Sequence, residues 1–197
     1  MDYLLNYLKQ HKYNTMKIGL FYGSDTGRTK AVAEVINEVL SKELDIDMYD
    51  VVDFDPEEIK KYDYLILGLS TWHDGELQSD WDTNFSQFSE IDFTGKTVAL
   101  YGLGDQIVYC EYFVDGVGII GQQVLDAGGK LIGKWPSEDY LHTDSKAELE
   151  EGYFCGLALD EDTEEEKTPE RIDGWCAQVL EEFKPVSYTH LTLPTKA

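Results

Sequence analysis

Between Lys17 and Phe183, short apolar runs alternate with segments whose apolar residues recur at helical spacing, and few folds accept that alternation. Lys17–Tyr22 (KIGLFY) reads as a strand. Thr29–Leu40 sets Val32, Val35, Ile36, Val39 and Leu40 on one helical face. Asp47–Val52 is a weaker strand, and Asp63–Leu69 (DYLILGL) is an apolar run suited to burial on both faces of a parallel sheet. Ser79–Phe88 reads as a short helix and Thr97–Tyr101 (TVALY) as another buried strand. Asp115–Ala127 reads as a helix that stops at Gly128-Gly129, and Lys130–Gly133 begins a fifth strand. Thr168-Pro169 has the form of a helix start, Thr as cap and Pro in the first turn. Ile172, Trp175, Cys176, Val179, Leu180 and Phe183 then make an apolar stripe. The repetition predicts an α/β domain built on a doubly wound parallel sheet.

One stretch does not fit a five-strand plan. Trp135–Phe154 is polar and without a clear period, and strand character resumes at Gly156–Leu159 (GLAL). The simplest account is a fifth strand split by an excursion of about twenty residues, long enough to expect extra strands or a function. Residues 1–15 form an N-terminal extension, either a short surface helix with Leu4, Leu5 and Leu8 on one face or an upstream start with no structural role. Residues 185–197 hold no Asp or Glu and are rich in Thr, and are expected to be an artefactual or disordered tail. The folded domain is expected over residues 16–184.

Charge narrows the function. Sixteen Lys and Arg against 39 Asp and Glu leave a net charge of −23. Such a surface repels nucleic acid and anionic membranes and attracts basic partners. Cys110, Cys155 and Cys176 are widely spaced and odd in number, which argues against a disulfide framework or a zinc site. They read as core or near-site thiols in a reducing compartment. No apolar run approaches membrane-spanning length, and the N-terminal residues lack the basic start and apolar block of a secretory signal. The expected location is the cytoplasm, with no membrane partner.

In open α/β sheets, ligands sit beyond the carboxyl ends of the strands. The segments after the first, third and fourth strands carry the unusual residues. Gly23-Ser24-Asp25-Thr26-Gly27-Arg28-Thr29 leads from strand into helix, where free N–H groups, the helix dipole and three hydroxyls suit a phosphate. It is neither a Walker loop nor a G-x-G-x-x-G loop. Ser70-Thr71-Trp72-His73-Asp74-Gly75-Glu76-Leu77 sets a Trp in a polar turn, placed to lie on an aromatic ligand. Gly102-Leu103-Gly104-Asp105-Gln106 is followed by Tyr109. Two aromatics from neighbouring loops can sandwich a planar ring, each contributing roughly 1–3 kcal/mol by analogy with base stacking. Together the three loops specify a phosphorylated planar cofactor.

These residues resemble the long-chain flavodoxins. The resemblance covers nearly all of residues 16–183 and rests on SDTGRT at 24–29, TWHDGELQSDWD at 71–82, GLGDQ at 102–106 and GLALDED at 156–162. It implies a flavodoxin-like five-stranded sheet of order 2-1-3-4-5 whose fifth strand is split by the excursion. It implies FMN as cofactor, its phosphate bound by Ser24, Asp25, Thr26, Gly27, Arg28 and Thr29. Trp72 would cover one flavin face and Tyr109 the other, in loops that also hold Thr71 and Gly104. Asp105 and its neighbours would bond the pyrimidine edge, and Asp162 would lie near the ribityl chain. The His73–Asp74 peptide would sit at flavin N5, with Gly75 easing its rotation on reduction. His73 itself reads as a solvent-facing loop residue rather than a base. Val108 and Tyr112, flanking Tyr109, stand where relatives often have Gly and Asn.

The resemblance further implies a monomeric, low-potential one-electron carrier with no substrate turnover, catalytic residue or metal of its own. Its partners would be basic redox proteins, such as a flavodoxin reductase, and electron-accepting enzymes. Fully reduced FMN is anionic, so nearby carboxylates oppose the second electron. One carboxylate at about 10 Å in a water-like medium contributes roughly 0.4 kcal/mol, or about 17 mV, before screening. The alternative is an FMN-dependent NAD(P)H:quinone oxidoreductase, which needs a nicotinamide pocket where Trp72 and Tyr109 would cover both faces. A phospho-acceptor receiver domain would need an Asp after the third strand, where Ser-Thr-Trp-His stands.

Overall fold

The structure, a computed structural model, describes residues 17–184. The readings made for residues 1–15 and 185–197 lie outside the described residues. Among the described residues, five helices and nine strands follow in order: β1 Lys17–Tyr22, α1 Arg28–Leu40, β2 Asp45–Asp50, α2 Pro56–Lys60, β3 Tyr64–Trp72, β4 Glu76–Leu77 and α3 Ser79–Phe88. Then come β5 Thr97–Leu103, α4 Asp115–Asp126, β6 Lys130–Ile132, β7 Trp135–Pro136, β8 Tyr153–Phe154, β9 Leu157–Leu159 and α5 Thr168–Phe183.

The main sheet runs β2-β1-β3-β5-β6, all parallel, with β9 also paired to β5. β6 pairs with Thr97–Ala99 and β9 with Tyr101–Leu103, so the two are halves of one interrupted fifth strand. The expected order and the split are both present. The excursion between the halves forms its own antiparallel pair, β7 with β8.

Alternation along the strands divides the core into two layers. Leu65, Leu67, Leu69, Val98 and Leu100 pack with Trp81 and Phe88 of α3 and Val117, Ile120 and Val124 of α4. On the other face Ile18, Leu20, Ile66, Ala99 and Tyr101 pack with α1 and with Ile172, Trp175 and Val179 of α5. The two fully buried tryptophans keep their N–H groups satisfied: Trp81 donates to Gly68 O (3.0 Å) and Trp175 to Gly133 O (2.8 Å). Gly68 O also receives the Gly23 N–H (3.0 Å), which ties the first loop to the end of β3.

Several local readings are corrected. β2 ends at Asp50, whose carboxylate accepts from Val52 N (3.1 Å) and caps a 3-10 turn over Val51–Asp53. In α1, Val35 faces solvent and Ala33 takes the inward place, because the buried stripe runs Val32, Ala33, Ile36, Leu40. Thr168 is not a cap: a 3-10 turn, Glu165–Lys167, runs straight into α5, and the Thr168 hydroxyl is buried without a partner. Trp72 is not in a loop but ends β3, paired with Glu76 across a tight hairpin. The stop of α4 is as read, with Gly129 N bonding Val124 O (2.9 Å) and Gly128 N bonding Leu125 O (3.0 Å).

Candidate cofactor-binding site

At the carboxyl ends of β1, β3, β5 and β9 lies a cavity of about 460 Å³. That is within the usual range for small-molecule sites. The first loop brings Thr26, Arg28 and Thr29 to its wall. The end of β3 brings Ser70, Thr71, Trp72 and His73, and the loop after β5 brings Leu103, Gly104, Asp105 and Tyr109. Glu161 and Asp162 close it from beyond β9.

The first loop is shaped as an anion cradle. Gly27, at φ +86°, turns the chain into α1 in a conformation that other residues seldom adopt. The first intrahelical bond is Ala31 N to Gly27 O (3.0 Å), so the N–H groups of Arg28, Thr29 and Lys30 have no carbonyl of the helix to meet. The first turn of α1 holds no acidic residue in a chain that has 39 of them. Ser24 Oγ accepts from Gly27 N (3.0 Å), bracing the loop from within. Asp25 turns away: its carboxylate accepts from Gln78 Nε2 (3.0 Å) and the Ser79 hydroxyl, and it lines a second cavity of about 600 Å³ behind Trp72 and His73.

Trp72 is half-buried, with its ring N–H on Ser70 Oγ (2.9 Å), and Tyr109 is exposed on the same cavity. Thr71 Oγ1 accepts from Gly116 N (2.9 Å) and so links β3 to α4. Asp105 Oδ1 accepts from the N–H groups of Ile107 and Val108 (both 2.8 Å), so this carboxylate stiffens the loop that carries Tyr109. Val108 projects into solvent, and Tyr112 N bonds Tyr109 O (2.9 Å). Asp74 is exposed at the hairpin tip and Gly75 is buried, and neither borders the cavity.

Arg28 is the one Lys or Arg among the lining residues, and it donates to Asp162 Oδ1 (2.7 Å) across the cavity mouth. That hydrogen bond raises the guanidinium's pKa above its ordinary value. Burial pushes the Glu161 carboxyl up, against the pull of Arg28. The wall is therefore acidic at its open side and cationic only at the helix start. Among the described residues no group of His, Cys, Asp or Glu could hold a metal ion.

The sequence model of the family described as Flavodoxin matches residues 20–175. A flavodoxin of Nostoc sp. is 45% identical over 167 residues, covering 85% of this chain and 97% of its own. Flavodoxin of Haemophilus influenzae is 45% identical over 166 residues, covering 84% of this chain and 95% of its own. The chain belongs to the flavodoxin family. The structure of Fusobacterium nucleatum flavodoxin bound to flavin mononucleotide overlays with a TM-score of 0.80 at 36% identity, covering 85% of this chain and 99% of that one.

As a flavodoxin, the chain carries its family motifs on adjacent strand ends. Ser70, Leu103 and Glu161 also line the cavity though they were not singled out in sequence. Each lies beside or inside a motif, and its neighbour was the only signal available.

Proposed function

We propose that this flavodoxin is a one-electron carrier that holds a single non-covalent FMN in the cavity at the strand ends. The observation that carries the reading is the meeting of three features on one cavity: an anion cradle whose helix start holds no acidic residue, Trp72 and Tyr109. The donor set fits the cofactor. The helix-start N–H groups, the hydroxyls of Thr26 and Thr29 and the Arg28 guanidinium take the phosphate, with Ser24, Asp25 and Gly27 setting the loop's shape. Trp72 and Tyr109 take the ring and keep water from it, and Thr71, His73, Asp74 and Gly75 form the hairpin beside it. Gly104 and the backbone near Asp105 take the polar edge, and Asp162 takes the ribityl side.

Bound FMN supplies the electron transfer, one electron at a time. The chain's own contribution is electrostatic. Asp105, Glu161 and Asp162 disfavour added negative charge in the cleft, which sets a low potential for the last electron. The acidic surface favours redox partners with basic faces, and we assign the protein to the cytoplasm as a monomer. Among the described residues no helix is long and apolar enough to cross a membrane.

The test is reconstitution. Titrating purified protein with FMN should quench flavin fluorescence at one equivalent, and the holoprotein should oxidise NADPH only when a reductase is added. A colourless protein that leaves FMN fluorescence unchanged overturns the cofactor, and unaided NADPH turnover overturns the carrier.

A further inference from the structure

The hairpin tip at residues 73–75 rests on a buried charge. Gly75 has φ +88°, and a Cβ built on it would stand 2.6 Å from Oδ2 of Asp115. Asp115, the first residue of α4, is 1% exposed. Its carboxylate is gripped by one residue of the excursion. The Lys146 backbone N–H donates to Oδ1 (2.7 Å) and its Nζ to Oδ2 (2.7 Å). A buried carboxylate is tolerable only when paired and hydrogen-bonded in this way.

The surrounding bonds hold the excursion to the segment that leads into α4. The N–H groups of Thr143 and Asp144 donate to Cys110 O (2.8 and 3.2 Å), and Ser145 Oγ donates to Phe113 O. A Cβ on Gly118 would stand 2.2 Å from the Lys146 carbonyl, so the helix and the excursion touch backbone to backbone. Two residues with side chains sit at positive φ here, His73 at +44° and the buried Val114 at +51°. For a β-branched residue that conformation is strained, and it immediately precedes Asp115. The chain thus accepts strain where it delivers this carboxylate to the hairpin.

We propose that Asp115, clamped by Lys146, is a positioning residue for the 73–75 turn. A fixed negative charge beneath Gly75 favours turn conformations that present peptide N–H groups toward it and carbonyls away from it. The excursion that splits the fifth strand thereby reaches the cofactor cleft without touching it. The consequence for redox tuning rests on the FMN reading above; the consequence for the turn does not.

Asp115→Asn and Lys146→Gln, made in the full chain, test it. In the apoprotein, amide exchange at residues 74–76 should quicken by about two- to fivefold, in Asp115→Asn because the charge beside the peptide dipoles is lost and in Lys146→Gln because the carboxylate loses the Nζ contact that fixes Oδ2 beneath Gly75. In the FMN-loaded protein the two one-electron potentials should move closer together in both variants. Cys176→Ala, buried on the opposite face of the sheet, controls for lost stability. Exchange at 74–76 that changes no more than in that control overturns the proposal. Lys146 is 57% exposed, so its variant decides the matter if Asp115→Asn does not fold. Failure of the wild type to bind FMN would overturn the cofactor reading, while the apoprotein exchange would still decide the role of Asp115.

Discussion

Arg28 carries the positive charge at the start of α1, and its partner here is a carboxylate of the same protein. The pair is about half exposed on each side (52% and 55%), and such pairs are worth roughly 0–1 kcal/mol. A charge-assisted contact to phosphate is worth about 1.5–3 kcal/mol, because the guanidinium forks match the oxygens. Arg28→Ala should therefore weaken FMN affinity by about tenfold or more while shifting apoprotein stability by under about 0.5 kcal/mol. Fluorescence titration and chemical denaturation read the two effects separately. Unchanged affinity with a large stability loss would assign Arg28 to the fold. Arg28 was legible in sequence because Ser24–Thr29 is contiguous. Asp115 and Lys146 were not, being 31 residues apart and joined only by tertiary folding.

At the scale of elements, the connection from β9 to α5 is held by a polar cluster that has no sequence period. Asp160 accepts from Gln106 N (3.1 Å), Asp162 N (3.0 Å) and Thr163 N (2.9 Å). Glu164 bonds Arg171 (2.6 Å) and Lys167, and Arg171 lies over the Tyr140 ring at 4.3 Å. Burial raises the Glu164 pKa, but hydrogen bonds from Lys167, Arg171 and Gln106 outweigh it and hold the carboxyl at about 2. A depressed folded pKa means stability is present above the unfolded value near 4.5 and is lost as pH falls toward 2. The contribution at neutral pH is on the order of 3 kcal/mol, with the side chain 17% exposed. Glu164→Gln should lower stability at pH 7 and converge with wild type as pH drops from about 4.5 to 2. Denaturant melts across that range check it; a gap that does not narrow would refute the linkage. The excursion had no readable period because Trp135, Tyr140 and Phe154 meet one another only through the fold, Trp135 Nε1 donating to Tyr140 Oη (3.0 Å) and the Tyr140 and Phe154 rings lying 5.2 Å apart, rather than along one helical or strand stripe.

For the whole molecule, a net charge of −23 acts in two opposite ways. A charge of this sign attracts basic surfaces in general and repels itself within the compact state. Raising salt to about 0.5 M should stabilise the apoprotein by about 1 kcal/mol, or roughly 2–4 °C in Tm. The same salt should slow association with a basic reductase by about tenfold. Calorimetry and stopped-flow kinetics read the two trends, and a rate insensitive to salt would refute the steering.

The sequence alone determined the strand–helix alternation, the split fifth strand and the three loops, because each depends on residues close together in the chain. Hydrophobic period and turn chemistry are local properties, and they carry the fold class with them. Which side chains share the cleft was decided by the tertiary structure. Asp25 stands next to Thr26 in sequence yet its carboxylate faces another cavity, and Glu161 joins a wall that, Asp162 aside, is built by residues 52 to 135 positions away. The parallel sheet aligns distant strand ends at one edge, and side-chain direction there depends on partners that only packing supplies.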